Sequence, residues 1–108
     1  MPDFFDTELR VGEIVKAEIF TEAKKPAYKL WINFGEALGI KTSSAQITSL
    51  YTTKMLIGKL VIAVTNLEPK QVGPFISEVL LLGVNGKNVG DIILIAPEDK
   101  ADIGNRVY

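Results

Sequence analysis

The 108-residue chain contains no histidine and no cysteine. Those two absences remove most side-chain chemistry, since no thiolate nucleophile, imidazole base or ordinary zinc site can be assembled. An all-carboxylate site for magnesium or for glycoside hydrolysis needs acids that converge. Here the acids are scattered singly, apart from the pair Glu98-Asp99. The expectation is a non-catalytic protein with no metal and no cofactor. Without cysteine there is no disulfide framework, which makes the cytoplasm the default compartment. No apolar run approaches the roughly 18 residues needed to span a bilayer, and Met1–Asp6 lacks the basic flank of a secretory signal. No membrane partner is expected. Charge of either sign is also not in excess, with 12 Lys+Arg against 13 Asp+Glu and a net charge of −1. A protein that held nucleic acid by charge alone would be basic, so any such binding must use a local patch and should be modest and salt-sensitive.

What the chain does have is 47% hydrophobic and 23% charged residues, an ordinary balance for one soluble domain over residues 1–108. The stretch that organises it is Asn66 to Ser77, between the apolar runs Leu60–Thr65 and Val79–Leu82. Pro69 and Pro74 each fix φ and remove a donor, so the stretch extends neither run as a strand. A stiffened loop between buried strands is a good mount for recognition groups, because little entropy is lost when it grips a ligand. Asn66 and Ser77 can exchange hydrogen bonds, Lys70 can meet a phosphate and Phe75 can stack on a base. The same residues also read as a proline-rich connection with an aromatic lid over the core.

Leu9–Phe20 alternates, with Leu9, Val11, Val15, Ala17 and Ile19 on one face, and Gly12 followed by Ile14 breaks the alternation as a β-bulge would. Glu22–Pro26 is a charged turn carrying Lys24 and Lys25. In Tyr28–Phe34 the residues Tyr28, Leu30, Ile32 and Phe34 form one apolar face. Trp31 falls opposite with Lys29 and Asn33, which calls for a second layer, a partner subunit or a ligand platform. Leu38–Ser43 reads as a third strand. Helical turns follow within 44–57, capped by Thr48 or Ser49 and ended at Gly58. Strands are expected at 60–65, 77–84 and 91–95, with Asn85-Gly86 as a type I′ hairpin turn between the last two. Five to seven strands with one short helix between the third and fourth describe an all-β chain. The fold expected is a five-stranded Greek-key OB-fold barrel with one short helix and terminal extensions. Gly35-x-x-x-Gly39-Ile-Lys41-Thr42 imitates a phosphate loop with the wrong spacing and order.

Asp6-x-x-x-Arg10-Val-Gly-x-Ile14, Lys25–Leu30, Ser43–Ile47, Asn66-Leu-x-Pro-Lys70 and Ile76–Glu78 stand in order along the chain. This ordered set resembles the tRNA-binding domain family, which includes stand-alone proteins and the domain appended to methionyl- and phenylalanyl-tRNA synthetases. The likeness covers nearly the whole chain and is strongest to members described as secretion-related chaperones. Ser77-Glu-Val-Leu80 departs from the family's Ser-x-Gly-Met signature. The resemblance implies an OB barrel, a homodimer and structural recognition of tRNA without aminoacylation. It implies an RNA face at Ser43, Ser44 and the loop from Asn66 to Ser77, with Arg10, Lys41 and Lys70 on phosphates and Phe75 available for stacking. A second class is an export chaperone that binds unfolded or precursor polypeptides through Trp31, Phe4, Phe5 or Phe75. Phe4, Phe5, Ile103, Val107 and Tyr108 are the candidates for a two-fold contact.

Overall fold

The sequence alternates most cleanly where one face of a strand meets the core, and that strand is the centre of the fold. The structure, a computed structural model, describes residues 6–98 and 101–108. Phe4 and Phe5 lie outside them. The elements are β1 (Leu9–Ile19), β2 (Tyr28–Asn33), β3 (Ile40–Ala45), α1 (Thr53–Leu56), β4 (Leu60–Val64), β5 (Lys70–Val72), β6 (Phe75–Ser77), β7 (Leu80–Leu81), β8 (Gly83–Asn85) and β9 (Ile92–Leu94). The main sheet runs β3-β2-β1-β4-β7, all antiparallel. It curls until the Glu78 and Val79 amides both donate to the Thr42 carbonyl of β3, at 2.8 and 3.2 Å. The outcome is a nearly closed five-stranded barrel with almost no helix, the OB-type architecture expected.

Tyr28, Leu30, Ile32 and Phe34 point into the barrel as their spacing predicts, joined by Ile14, Leu56 and Val61. Each fully buried aliphatic side chain contributes about 1.5–3 kcal/mol. β1 corrects the sequence reading. Its register shifts between Ile14 and Lys16, so the bulge falls at Val15 rather than at Gly12. Ile14 is buried, whereas Val15 and Ile19 are 40% and 66% exposed. Two residues facing one on the partner reverse the inward phase, and strict alternation cannot be carried through them.

The helix is shorter than expected, a single turn whose cap is Thr52, not Thr48 or Ser49. The Met55 amide donates to Thr52 Oγ1 at 3.2 Å, and Gly58, at φ +84°, stands just beyond the turn. The Asn85-Gly86 turn is also corrected. Neither residue has the positive φ that a type I′ turn requires, and the chain reverses instead over residues 86–91, where Gly86 N–H donates to the Asp91 carbonyl at 2.6 Å. The stretch 66–77 is more than a loop, because β5 and β6 pair as a separate hairpin. Gly73, at φ +59°, precedes Pro74 in its two-residue turn, which suits a II′-type geometry.

The C-terminal residues form a strap along β1. Val11 N–H donates to Asn105 O, Gly104 N–H to Val11 O and Val107 N–H to Leu9 O, at 2.7–2.9 Å. The Glu8 carboxylate fastens the start of β1 by accepting from Arg10 Nη2 at 3.0 Å and Thr65 Oγ1 at 2.6 Å. The Arg10 bond, and after it the Thr65 bond, hold the Glu8 carboxyl below its ordinary value near 4.5. A carboxyl whose pKa is lower folded than unfolded stabilises fully above the unfolded value, and the stabilisation is lost as pH falls through the folded value. Thermal melts of the wild type and Glu8→Gln, at neutral pH and through the range below about 4.5, should show the variant less stable at neutral pH and the difference shrinking with acidity. A difference that does not change with pH would remove this role of Glu8.

Candidate nucleic-acid interface

The hairpin β5–β6 is laid against the barrel and laced to β3 by side chains standing in for a strand ladder. Ser77 Oγ accepts the Ser44 amide proton at 3.1 Å and donates to the Val79 carbonyl at 3.4 Å. Thr42 Oγ1 donates to the Ile76 carbonyl at 2.6 Å, and Glu78 Oε1 accepts from the Thr42 amide at 3.1 Å. Such bonds satisfy an open strand edge that would otherwise recruit another chain. They also fix the hairpin, so the groups it presents are ordered before any ligand arrives.

The other side of the hairpin covers the outer face of β1 and β2. Phe75 meets Phe20 and Trp31 edge to face, both with centroids 5.7 Å apart. Lys16 Nζ lies 4.6 Å from the Trp31 ring centre, and Lys29 Nζ lies 5.6 and 5.8 Å from Phe20 and Phe75. Both lysines also pair with Glu18, at 3.3 and 3.7 Å. The second layer required by Trp31 is therefore supplied by the chain itself. Edge-to-face packing with lysines above is a favourable arrangement of ring quadrupoles.

The predicted site residues divide into groups. Ser44, Lys70 and Ser77 come together, since Lys70 sits opposite Ser77 in the hairpin and Ser77 bonds Ser44. Lys70 is exposed, and Lys41 is half-exposed at the start of β3. Phe75 lies on the same hairpin but is half-buried among the other rings, with its edge already engaged. Ser43 is 1% exposed, and its hydroxyl has no hydrogen-bond partner. Its side chain faces the barrel interior, away from the surface that Ser44 and Lys70 share. Asn66 accepts from the Glu8 amide at 3.0 Å and donates to the Asp6 carbonyl at 2.7 Å. Arg10 donates to the Gly104 carbonyl at 2.7 Å besides pairing with Glu8. Arg10 and Asn66 thus act as fasteners of the two terminal segments. Of the two-fold candidates, Ile103 and Val107 are half-buried on the strap, and Tyr108 is fully exposed.

Sequence reading missed Thr42 and Glu78, whose bonds close the barrel and carry the hairpin. Only the closing of β3 on residues 76–79 gives them that role. Val79 and Leu80, the two departures from the family signature, part ways: Val79 is buried in the core and Leu80 is half-exposed. No group of three or more acidic side chains among the described residues could hold a metal ion, and no described helix is long and apolar enough to cross a membrane.

An open-ended five-stranded barrel with a prebuilt loop face is a binding module of the OB type. The chain belongs to the tRNA-binding domain family: the family model described as "Putative tRNA binding domain" matches residues 9–106. Its relatives include methionine–tRNA ligases. That of Bdellovibrio bacteriovorus is 31% identical over 105 residues, 97% of this chain and 15% of the ligase. That of Sorangium cellulosum is 37% identical over 106 residues, again spanning 15% of the ligase. The chain therefore covers only a small part of these enzymes. Among solved structures, the chaperone CsaA of Bacillus anthracis is 43% identical with a TM-score of 0.89, covering 100% of this chain and 99% of that one. The CsaA chaperone protein of Picrophilus torridus is 43% identical with a TM-score of 0.88 and full coverage of both chains.

Proposed function

We propose that this protein binds folded tRNA as a homodimer and does no chemistry on it. The observation that carries the reading is the hairpin β5–β6, pinned to β3 through Ser77 and Ser44, with the exposed Lys70 beside that junction. Family membership supports tRNA as the ligand. Few lysines face the ligand on one barrel, and two copies double the phosphate contacts across one folded RNA. Ile103, Val107 and Tyr108 are the described residues proposed for the two-fold contact.

The test is a titration of unfractionated tRNA at two salt concentrations. If about four phosphates are neutralised, two by each protomer, affinity should fall about 150-fold between roughly 50 and 200 mM salt. Lys70→Ala removes one of these contacts from each protomer and should lower the salt slope by about two. Binding that ignores salt, or a slope unchanged in Lys70→Ala, would sink the assignment of this face.

A second reading, binding of unfolded polypeptides, is favoured by the similarity to the two CsaA chaperones and by a separate cleft of about 470 Å³. Ile47, Leu80, Leu81, Ile92 and Leu94 are among its lining residues. Apolar peptide contacts would resist salt, so binding of an unfolded polypeptide that persists at a salt concentration where tRNA no longer binds distinguishes the two.

A further inference from the structure

Asn85-Gly86 ends β8, and neither the RNA nor the polypeptide reading uses it. It is the only asparagine in the sequence followed by glycine. Asn33, Asn66, Asn88 and Asn105 precede phenylalanine, leucine, valine and arginine. An asparagine carboxamide is open to attack by the main-chain nitrogen of the next residue, and a successor without a side chain leaves that approach unhindered. Packing keeps glycine at position 86, since a Cβ there would lie 3.0 Å from Asp91 Cβ and 3.3 Å from its carbonyl oxygen. The Asn85 side chain is exposed, and among the described residues no hydrogen bond holds its carboxamide. The carbon to be attacked is therefore free to turn, whereas the attacking nitrogen is tied. Gly86 N–H donates to Asp91 O at 2.6 Å, a short bond for an amide. Asp91 is itself held, by its N–H to Asn88 O at 3.1 Å and by Asn88 Nδ2 to its Oδ2 at 3.2 Å.

We infer that Asn85-Gly86 is a self-modifying site that deamidates through a cyclic imide, at a rate set by opening of the turn 86–91. With the turn open, the Gly86 nitrogen gives its proton to solvent and bonds Asn85 Cγ. The Cγ–Nδ2 bond breaks and the nitrogen leaves as ammonia. Water then opens the ring at one of its two carbonyls. Opening at Cγ gives aspartate. Opening at the main-chain carbon gives isoaspartate, whose main chain runs through Cβ and Cγ. Either product adds one negative charge to a chain already at −1. The longer main chain of isoaspartate also disturbs the register of β8 on β9, where Asn85 pairs with Ile92 and Gly83 with Leu94. Gly83, Gly90, Ile92 and Leu94 line the cleft of about 470 Å³, so the change falls on that side of the barrel and leaves the β5–β6 hairpin alone. The inference is independent of both functional readings.

The test incubates the full chain at mildly alkaline pH and follows residue 85 by peptide mass spectrometry together with isoaspartate-specific methylation. Hydrogen exchange at the Gly86 amide is measured in parallel. The samples are the folded wild type, the same chain unfolded in urea, Asn85→Gln, Asn88→Ala and Gly90→Ala. Asn88→Ala removes one hydrogen bond of the turn, and Gly90→Ala strains it independently, because Gly90 has a φ of +88°. The unfolded chain should deamidate at Asn85 at least about tenfold faster than the folded one. The two loosened turns should react about three- to tenfold faster than the wild type, with Gly86 exchange rising by a similar factor. Asn85→Gln should stay unmodified, since its ring would need a sixth member. Deamidation rates that do not follow Gly86 exchange across these chains overturn the role of the turn. Conversion of another asparagine ahead of Asn85, or no conversion in the unfolded chain, overturns the site.

Discussion

Replacing Gly12 by valine should cost about 3 kcal/mol or more, because it puts three carbons into a buried position with no room for one. Gly12 lies in β1 opposite Val61 of β4, and its backbone is buried. A Cβ at this position would come within 2.5 Å of Ile32 Cγ2 and 2.7 Å of Phe34 Cε1. Those two side chains are themselves buried, at 0% and 1% exposure. They come from the strand that β1 pairs with, so neither can retreat without moving β2. The φ of Gly12 is not positive, so the glycine supplies space there, not unusual backbone freedom. Overpacking a close-packed interior costs roughly 1–3 kcal/mol for one or two added groups, and valine adds three carbons with a stiff χ1. Chemical denaturation of Gly12→Ala, Gly12→Val, Ile32→Ala and Gly12→Ala combined with Ile32→Ala measures this. The double variant should be less destabilised than the sum of its two single variants, because the Ile32 Cγ2 that clashes is removed. Equal stability of Gly12→Ala and the wild type would mean that the space is not filled as described.

The same close approach explains what the sequence could and could not tell. β2 was legible because it faces the core on one side and has no bulge of its own; Tyr28, Leu30 and Ile32, with Phe34 just beyond its end, follow period two. β1 was less legible: of the residues read as one face, Val11 is buried while Val15 and Ile19 are exposed, and Ile14, read as part of the break, lies in the core. The bulge at Val15 is a one-residue event whose cause, the closing of the sheet, lies in the partner strands. Asn85-Gly86 carries the strongest local turn signal in the chain, and the fold overrides it. A Cβ at Gly86 would lie 3.0 Å from Asp91 Cβ and 3.3 Å from its carbonyl oxygen. Glycine stands there for close approach across the connection, and local pattern cannot separate that use from a positive φ.

The candidate site divides in the same way. Lys70 and Ser77 stood out as polar residues in the stretch punctuated by Pro69 and Pro74, whereas Ser44 entered only through the family resemblance. Ser43 was not separable from Ser44, since adjacent residues on a strand face opposite sides and the phase is set by pairing with β2. Asn66 and Arg10 read as ligand groups because their partners are remote. Asn66 bonds a residue 58 positions away, and Arg10 bonds one 94 positions away. Nothing in either neighbourhood announces that a terminal segment will come to lie there.

Gly104→Ala should detach the C-terminal strap while leaving the barrel sheet in place. Two independent penalties meet at this residue. Its φ is +91°, a conformation that costs a residue with a Cβ about 1–3 kcal/mol, and the added carbon would lie 2.5 Å from the Phe34 carbonyl oxygen. That neighbour is backbone, so no rotamer change relieves the contact. The bonds at stake are Gly104 N–H to Val11 O and Arg10 Nη1 to Gly104 O, both 2.7 Å, and the bonds from Val11 N–H to Asn105 O and from Val107 N–H to Leu9 O depend on them. β1 remains bonded to β4 on its other edge, from Leu9 to Glu13, so the loss is local. A local cost of about 2.7 kcal/mol corresponds to roughly 100-fold faster amide exchange. Hydrogen exchange should therefore accelerate by about that factor at Val11 and Val107 and change little at Leu30 or Ile32. If Ile103, Val107 and Tyr108 form the proposed two-fold contact, the same variant should also sediment as a monomer and bind tRNA more weakly. Unchanged exchange at Val11 and Val107 would show that the strap does not depend on this glycine. Faster exchange with an intact dimer would place the two-fold contact elsewhere on the barrel.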